Sequence, residues 1–218
     1  MSAPALVLDF GGVISRTLFE THRENERALG VPEGSLNWRG PFDPTGDPLW
    51  QRMQADEISE RDYWHQRAQD VAALVGEHDW SMVDMVRALR GDDPDSALRP
   101  EARHAIATAQ ADGFKLAILS NELDLFYGHG FAARLPLLQS FDAIVDATYT
   151  KVLKPDPAAY ALCARELNLP PARCVFVDDQ RRNIAGGEAV GMHCVHFDVH
   201  HPAASFDLAL QTLKSLQG

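Results

Sequence analysis

Cysteine is scarce in this chain. Only Cys163, Cys174 and Cys194 are present, none pairs at C-x-x-C spacing, and one is left over. That excludes a disulfide framework and argues against a structural zinc site, leaving small apolar residues of a reducing compartment. Basic residues are also few, 20 Lys and Arg against 31 Asp and Glu, for a formal charge of −11. Wrapping nucleic acid needs clustered cations, so no nucleic-acid partner is expected. No apolar run approaches the ~18–20 residues of a membrane span, and no membrane partner is expected. The N-terminal Met1-Ser-Ala-Pro4 run has no basic stretch ahead of an apolar segment, so a cytoplasmic location is expected. Internal repeats and low-complexity segments are missing too.

What remains is globular material: 218 residues, 45% hydrophobic, enough for a packed core. Short apolar runs recur along most of the chain, at 5–8, 114–119, 141–145, 174–177 and 194–197. Several end on polar residues: Asp9, Ser120-Asn121, Asp146 and Asp178-Asp179. Brief β-rich runs of this kind are strands covered on both faces. Helical patterns lie between them, opening at Arg99-Pro100 and ending at Gly113, from Pro157 to Leu167, and from Asn183 to Val190. The alternation predicts an α/β fold, a doubly wound parallel sheet with a Rossmann-like core.

From about Ser15 to Asp95 the alternation stops and only helices are legible. Asp47-Pro48 is an N-cap with proline at the first helical position. Ser59 and Asp62 form a capping-box pattern, and Met82, Met85, Val86 and Leu89 repeat at helical spacing. The expected organisation is an α/β core at 1–14 and 96–218, with an inserted all-helical module at 15–95 hinged near Gly91–Asp95. Trp50, Trp64 and Trp80, with Met82 and Met85, are expected in the core of that module.

The chemistry is expected where strands end, because ligands of open α/β sheets bind beyond the carboxyl ends of the strands. Asp9 and Asp179 offer hard anionic oxygens suited to Mg²⁺, and Lys154 offers a fixed positive charge. Ser120 and the Asn121 amide offer donors to a tetrahedral oxyanion. Carboxylate, metal, lysine and hydroxyl are the components of phosphoryl transfer to an aspartate. A carboxylate is ionised at pH 7 and needs no base, so its obstacle is repulsion from the phosphate. His193, His196, His200 and His201 form no ligand set, since the first two fall on opposite strand faces.

The ordered set Leu6-Val-Leu-Asp9-Phe-Gly-Gly-Val13, Ile118-Leu-Ser120-Asn121, Lys154-Pro155-Asp156-Pro157 and Val175-Phe-Val-Asp178-Asp179-x-x-x-Asn183 resembles the haloacid dehalogenase-like hydrolase superfamily. The helical insert resembles that family's cap. The resemblance implies that Asp9 attacks phosphorus while Ser120 and Lys154 hold the phosphoryl oxygens. It implies Mg²⁺ on Asp9, Asp179 and the Gly11 carbonyl, with Asp178 and Asn183 in support. Gly12 and Asn121 are the implied substrate-binding positions.

Phosphatases of the family usually carry a second aspartate two residues after the nucleophile, as acid and then base; here Gly11 stands there. Some relatives resembling sugar-phosphate phosphatases also have glycine at that position. The leading expectation is a Mg²⁺-dependent phosphatase acting on a small phosphorylated metabolite. The alternatives are 2-haloacid hydrolysis through an aspartyl ester, or a weakly active binding or regulatory protein.

Overall fold

The computed structural model describes residues 3–91 and 93–217. Asp92, within the predicted hinge, lies outside the described residues. The chain divides into two compact units, one of Met1–Arg16, Ala97–Asp124 and Gly130–Gly218, the other of Thr17–Ser96 with Leu125–His129.

The first unit is built on a five-stranded sheet of β1 (Ala5–Leu8), β2 (Lys115–Ser120), β3 (Ala143–Asp146), β4 (Cys174–Asp178) and β5 (His193–His196). All pairings are parallel and the order is β3-β2-β1-β4-β5. The predicted strands therefore all form, with ends shifted by a residue or two. Phe141 and Asp142 fall outside β3, where Asp142 instead closes on Leu116: its N–H donates to the Leu116 carbonyl and its carboxylate accepts the Leu116 N–H, both at 2.8 Å.

Parallel strands need crossovers, and helices supply them on both faces. Helices Pro157–Glu166 and Arg181–Ala189 cover one face over Val7, Ala117, Leu119 and Phe176. Helices Pro100–Ala111 and Pro202–Ser215 cover the other. The approach of Arg181–Ala189 depends on a missing side chain. A Cβ at Gly186 would sit 2.7 Å from the Tyr160 hydroxyl and 2.9 Å from the Pro155 carbonyl.

The second unit is helical, with His22–Leu29, Pro48–Gln54, Glu60–Leu74 and Met82–Arg90. The expected capping box at Ser59 is present, and a second one at Ser81 and Asp84 opens the last of these helices. Trp50, Trp64, Trp80, Met82 and Met85 all join its apolar cluster, around Phe19, Trp38 and Tyr63. Asp47 is more than a cap. Its carboxylate accepts from the Trp50 and Gly40 N–H groups, the Tyr63 hydroxyl at 3.0 Å and the Arg67 guanidinium at 2.6 Å. Burial would raise its pKa, but these donors together hold it below the ordinary range.

His22 has the opposite surroundings. Its ring lies edge-on to Trp38 at 4.7 Å, and neither ring nitrogen has a hydrogen-bond partner. Burial, reinforced by the nearby Arg39 charge and opposed by Glu26, pushes its pKa down to about 4.

Candidate active site

Strand order reverses at β1, so β2 and β3 lie to one side and β4 and β5 to the other. That is the topological switch point at which an open α/β sheet leaves a crevice. Leu8 pairs in register with Ile118 on one side and Val177 on the other, so the chain beyond each strand emerges at nearly the same level. Neighbouring strands lie ~4.8 Å apart, which brings Asp9 level with the ends of both flanking strands. The Asp9 N–H extends the ladder by donating to the Val177 carbonyl at 2.9 Å.

Carboxylate oxygens of Asp9, Asp178 and Asp179 all lie within 4.8 Å of one another. Lys154, its side chain only 2% exposed, places Nζ 2.9 Å from Asp9 Oδ1 and 2.6 Å from Asp178 Oδ2. Burial alone would lower the Lys154 pKa. The two carboxylates outweigh it and raise the pKa well above the ordinary lysine value, so the ammonium stays charged. Asp178 is fully buried and surrounded by donors. Besides Lys154 it accepts from the Gln180 N–H at 2.8 Å and from the Asn183 amide at 3.1 Å on both oxygens. It thus anchors Lys154 and the loop into helix Arg181–Ala189, while the less buried Asp179 and Asp9 flank it.

Three carboxylates crowd together in this cluster, and Lys154 reaches two of them. At that separation each unneutralised pair repels by about 3–4 kcal/mol at an effective dielectric near 20. A divalent cation is the group that relieves this, and all-oxygen donors suit Mg²⁺. A second observation agrees: Asn183 is 1% exposed and its Oδ1 has no hydrogen-bond partner. A buried acceptor beside a carboxylate cluster suits a donor such as a metal-bound water. The residues present therefore fit the ion, with Asp9, Asp179 and the Gly11 carbonyl as the groups that would hold it.

Ser120 closes β2 and is 6% exposed. The side chain of Asn121, expected as an oxyanion donor, bonds the backbone of Lys154. Its Nδ2 donates to the Lys154 carbonyl at 3.1 Å and its Oδ1 accepts the Lys154 N–H at 2.7 Å. That amide holds the lysine's backbone in place. Asp146 is likewise committed to backbone, accepting from Thr148 at 2.8 Å and Asp124 at 2.9 Å.

The two glycines after Asp9 differ. Gly12 is buried with φ 80° and ψ −24°, a left-handed conformation that favours glycine. Gly11 is exposed with φ −68° and ψ 126°, which any residue adopts, and a Cβ there would meet nothing within 4 Å.

Three contributors were missed by the sequence reading. Arg99 directs two donors at the Gly12 carbonyl. A ring nitrogen of His196 lies 3.1 Å from the Asp179 carbonyl, so one of the four histidines supports the acidic loop. The Tyr160 hydroxyl donates to the Asn183 carbonyl at 2.7 Å. The thiols take no part: all three are free, and burial pushes Cys174 up to about 11 and Cys194 up to about 12. Among the described residues no helix is long and apolar enough to cross a membrane.

Comparison with known proteins agrees with this geometry. Residues 4–191 match the haloacid dehalogenase-like hydrolase family model. Over 100 residues the chain is 33% identical to mouse acyl-CoA dehydrogenase family member 10, covering 45% of this chain but only 9% of that protein's length. It is 27% identical to the fructose-1-phosphate phosphatase YqaB of Escherichia coli K12, over 58% of this chain and 76% of the relative. The crystal structure of the L-2-haloacid dehalogenase RSc1362 covers all of both chains with a TM-score of 0.62 at 18% identity, a likeness of fold. With the five-stranded parallel sheet and the acidic cluster at its switch point, these matches show that the chain belongs to the haloacid dehalogenase-like hydrolases.

Proposed function

We propose that the chain is a Mg²⁺-dependent phosphatase for a small phosphorylated metabolite, working through an aspartyl phosphate on Asp9. The observation that carries this reading is the carboxylate cluster of Asp9, Asp178 and Asp179, with one buried lysine bridging Asp9 and Asp178. When bound, Mg²⁺ supplies positive charge that lets two anions, nucleophile and phosphate, approach each other. Lys154 orients Asp9 and keeps its own charge toward the phosphoryl oxygens, and the Ser120 hydroxyl donates to them. An Asp9 oxygen bonds to phosphorus as the ester P–O bond breaks, and the leaving group departs as its oxyanion and takes a proton from water. Water then attacks phosphorus, the bond to Asp9 breaks, and phosphate departs with the carboxylate restored. Gly11 supplies no proton to the leaving group, so substrates with stable leaving groups are favoured. We assign the helical unit, expected at 15–95, as the family's cap and the selector of substrate.

The E. coli relative is a fructose-1-phosphate phosphatase, which supports a phosphate ester as substrate. A haloacid reading shares the aspartate nucleophile, and a haloacid dehalogenase shares the fold. Attack on a carbon–halogen bond needs no cation, however, and gives the acidic cluster no purpose. The test is phosphate release from an aryl phosphate with Mg²⁺ or EDTA, in the parent and in Asp9→Asn. Activity is expected only in the parent with Mg²⁺. Equal rates in all four conditions would reject the mechanism, and chloride release from a 2-haloacid under EDTA would replace it.

A further inference from the structure

Arg99 is an arginine buried to 3% exposure in the core unit, and nothing in the chemistry above uses it. Its Nε and Nη2 donate to a single acceptor, the Gly12 carbonyl, at 3.2 and 2.9 Å. Two charge-assisted donors on one carbonyl fix both the position and the plane of that peptide. The Arg99 N–H also donates to the Ile14 carbonyl at 2.9 Å, and its neighbour Leu98 bridges Ser15 in antiparallel pairing. The loop after the nucleophile is therefore gripped at Gly12, Ile14 and Ser15 by one short segment, 98–99.

On its other side the Arg99 guanidinium lies over the Phe197 ring, 5.4 Å from its centroid. Phe197 is itself attached to the acidic loop, because its N–H donates to the Asp178 carbonyl at 2.9 Å. One side chain thus links the loop that follows Asp9 to the strand end that carries Asp178 and Asp179. The Gly12 carbonyl that Arg99 holds lies one peptide beyond the Gly11 carbonyl, and the two peptides join at Gly12, with φ 80° and ψ −24°.

We propose that Arg99 is a positioning residue for the divalent-cation site, holding the Gly11–Gly12 turn in register with the Asp178–Asp179 loop. The inference rests on the metal-assisted reading above. It concerns geometry alone, since the contacts of Arg99 given above are to the Gly12 carbonyl, the Ile14 carbonyl and the Phe197 ring. Residues that orient groups around a metal typically alter affinity by about 10–100-fold when removed.

The experiment titrates Mn²⁺ into the purified full chain and follows free ion by electron paramagnetic resonance. The proteins are the parent, Arg99→Met, Arg99→Lys and Arg165→Met, the last an exposed arginine beside Glu166. Near-UV circular dichroism and the thermal midpoint report folding of each. Arg99→Met is expected to raise the Mn²⁺ dissociation constant about 10–100-fold. Arg99→Lys, which keeps a single donor within reach, is expected to restore part of that loss, and Arg165→Met none of it. If Arg99→Met does not fold, Arg99→Lys carries the comparison, with weaker binding than the parent expected. Folded Arg99 variants that bind Mn²⁺ within twofold of the parent would overturn the proposal. A parent that binds no Mn²⁺ would instead overturn the metal-assisted reading beneath it.

Discussion

Replacing Gly11 with aspartate is the most informative single change this structure allows. The backbone there is ready for a side chain, with φ −68°, ψ 126° and open space around an added Cβ. Removing a glycine from such a conformation ordinarily stabilises by about 0.4–1 kcal/mol through the unfolded chain. A fourth carboxylate beside three others opposes that gain, so stability should stay within about 1 kcal/mol of the parent. Catalysis should change far more. General acid–base help is worth about 10²–10⁴-fold, or about 3–5 kcal/mol of barrier. The benefit belongs to substrates whose leaving oxygen needs a proton. Phosphate release should therefore be compared on an alkyl phosphate and on p-nitrophenyl phosphate, whose phenolate departs unaided. Gly11→Asp is expected to accelerate the alkyl ester strongly and the aryl ester much less. Gly12→Asp is the control: the same carboxylate one residue on is forced to φ 80°, at about 1–2 kcal/mol of backbone strain, in a buried position. It should lose activity on both. A folded Gly11→Asp enzyme with alkyl turnover within threefold of the parent would refute the idea that this site lacks only an acid.

Two further changes probe charge. Lys154→Met strands two carboxylates without their buried partner and should destabilise the metal-free protein by about 3–5 kcal/mol. Mg²⁺ should recover part of that loss in urea unfolding, and a loss identical with and without the ion would count against a cation site there. In the helical unit, His22 is neutral when folded down to about pH 4, whereas the unfolded imidazole takes its proton near pH 6.5. Above pH 6.5 both states are neutral and His22 has no effect on stability. As pH falls below that, the unfolded state gains the proton first, and stability drops until about pH 4. Discounted for solvent screening, the drop should be roughly 2 kcal/mol, and His22→Leu should flatten this part of the pH profile. A parent and variant with parallel profiles between pH 6.5 and 4 would show that His22 is not the group responsible.

The fold was legible because its signals are local. Each buried strand is a short β-rich run, and each ends where a polar residue begins, so Asp9, Ser120 and Asp178 mark strand ends without reference to the rest of the chain. The acidic cluster was legible for a related reason: a parallel sheet puts all strand C-termini at one edge, so residues at the ends of adjacent strands must converge. Side-chain direction follows no such rule. Asn121 stands next to Ser120 in a motif, yet its amide turns to the Lys154 backbone, 33 residues on, because both partners there are buried and need satisfying. Arg99 was harder still. Before Pro100 it reads as a helix-start residue, and it is one. Nothing in that local pattern marks the Gly12 carbonyl, 87 residues earlier, as the acceptor of its guanidinium. A sequence can announce where reacting groups will gather, because strand ends are periodic features. The residues that hold those groups at a working distance are chosen by packing across long loops. Arg99, a charged residue where burial is demanded and followed by an expected amphipathic helix, shows its role only once the sheet is in place.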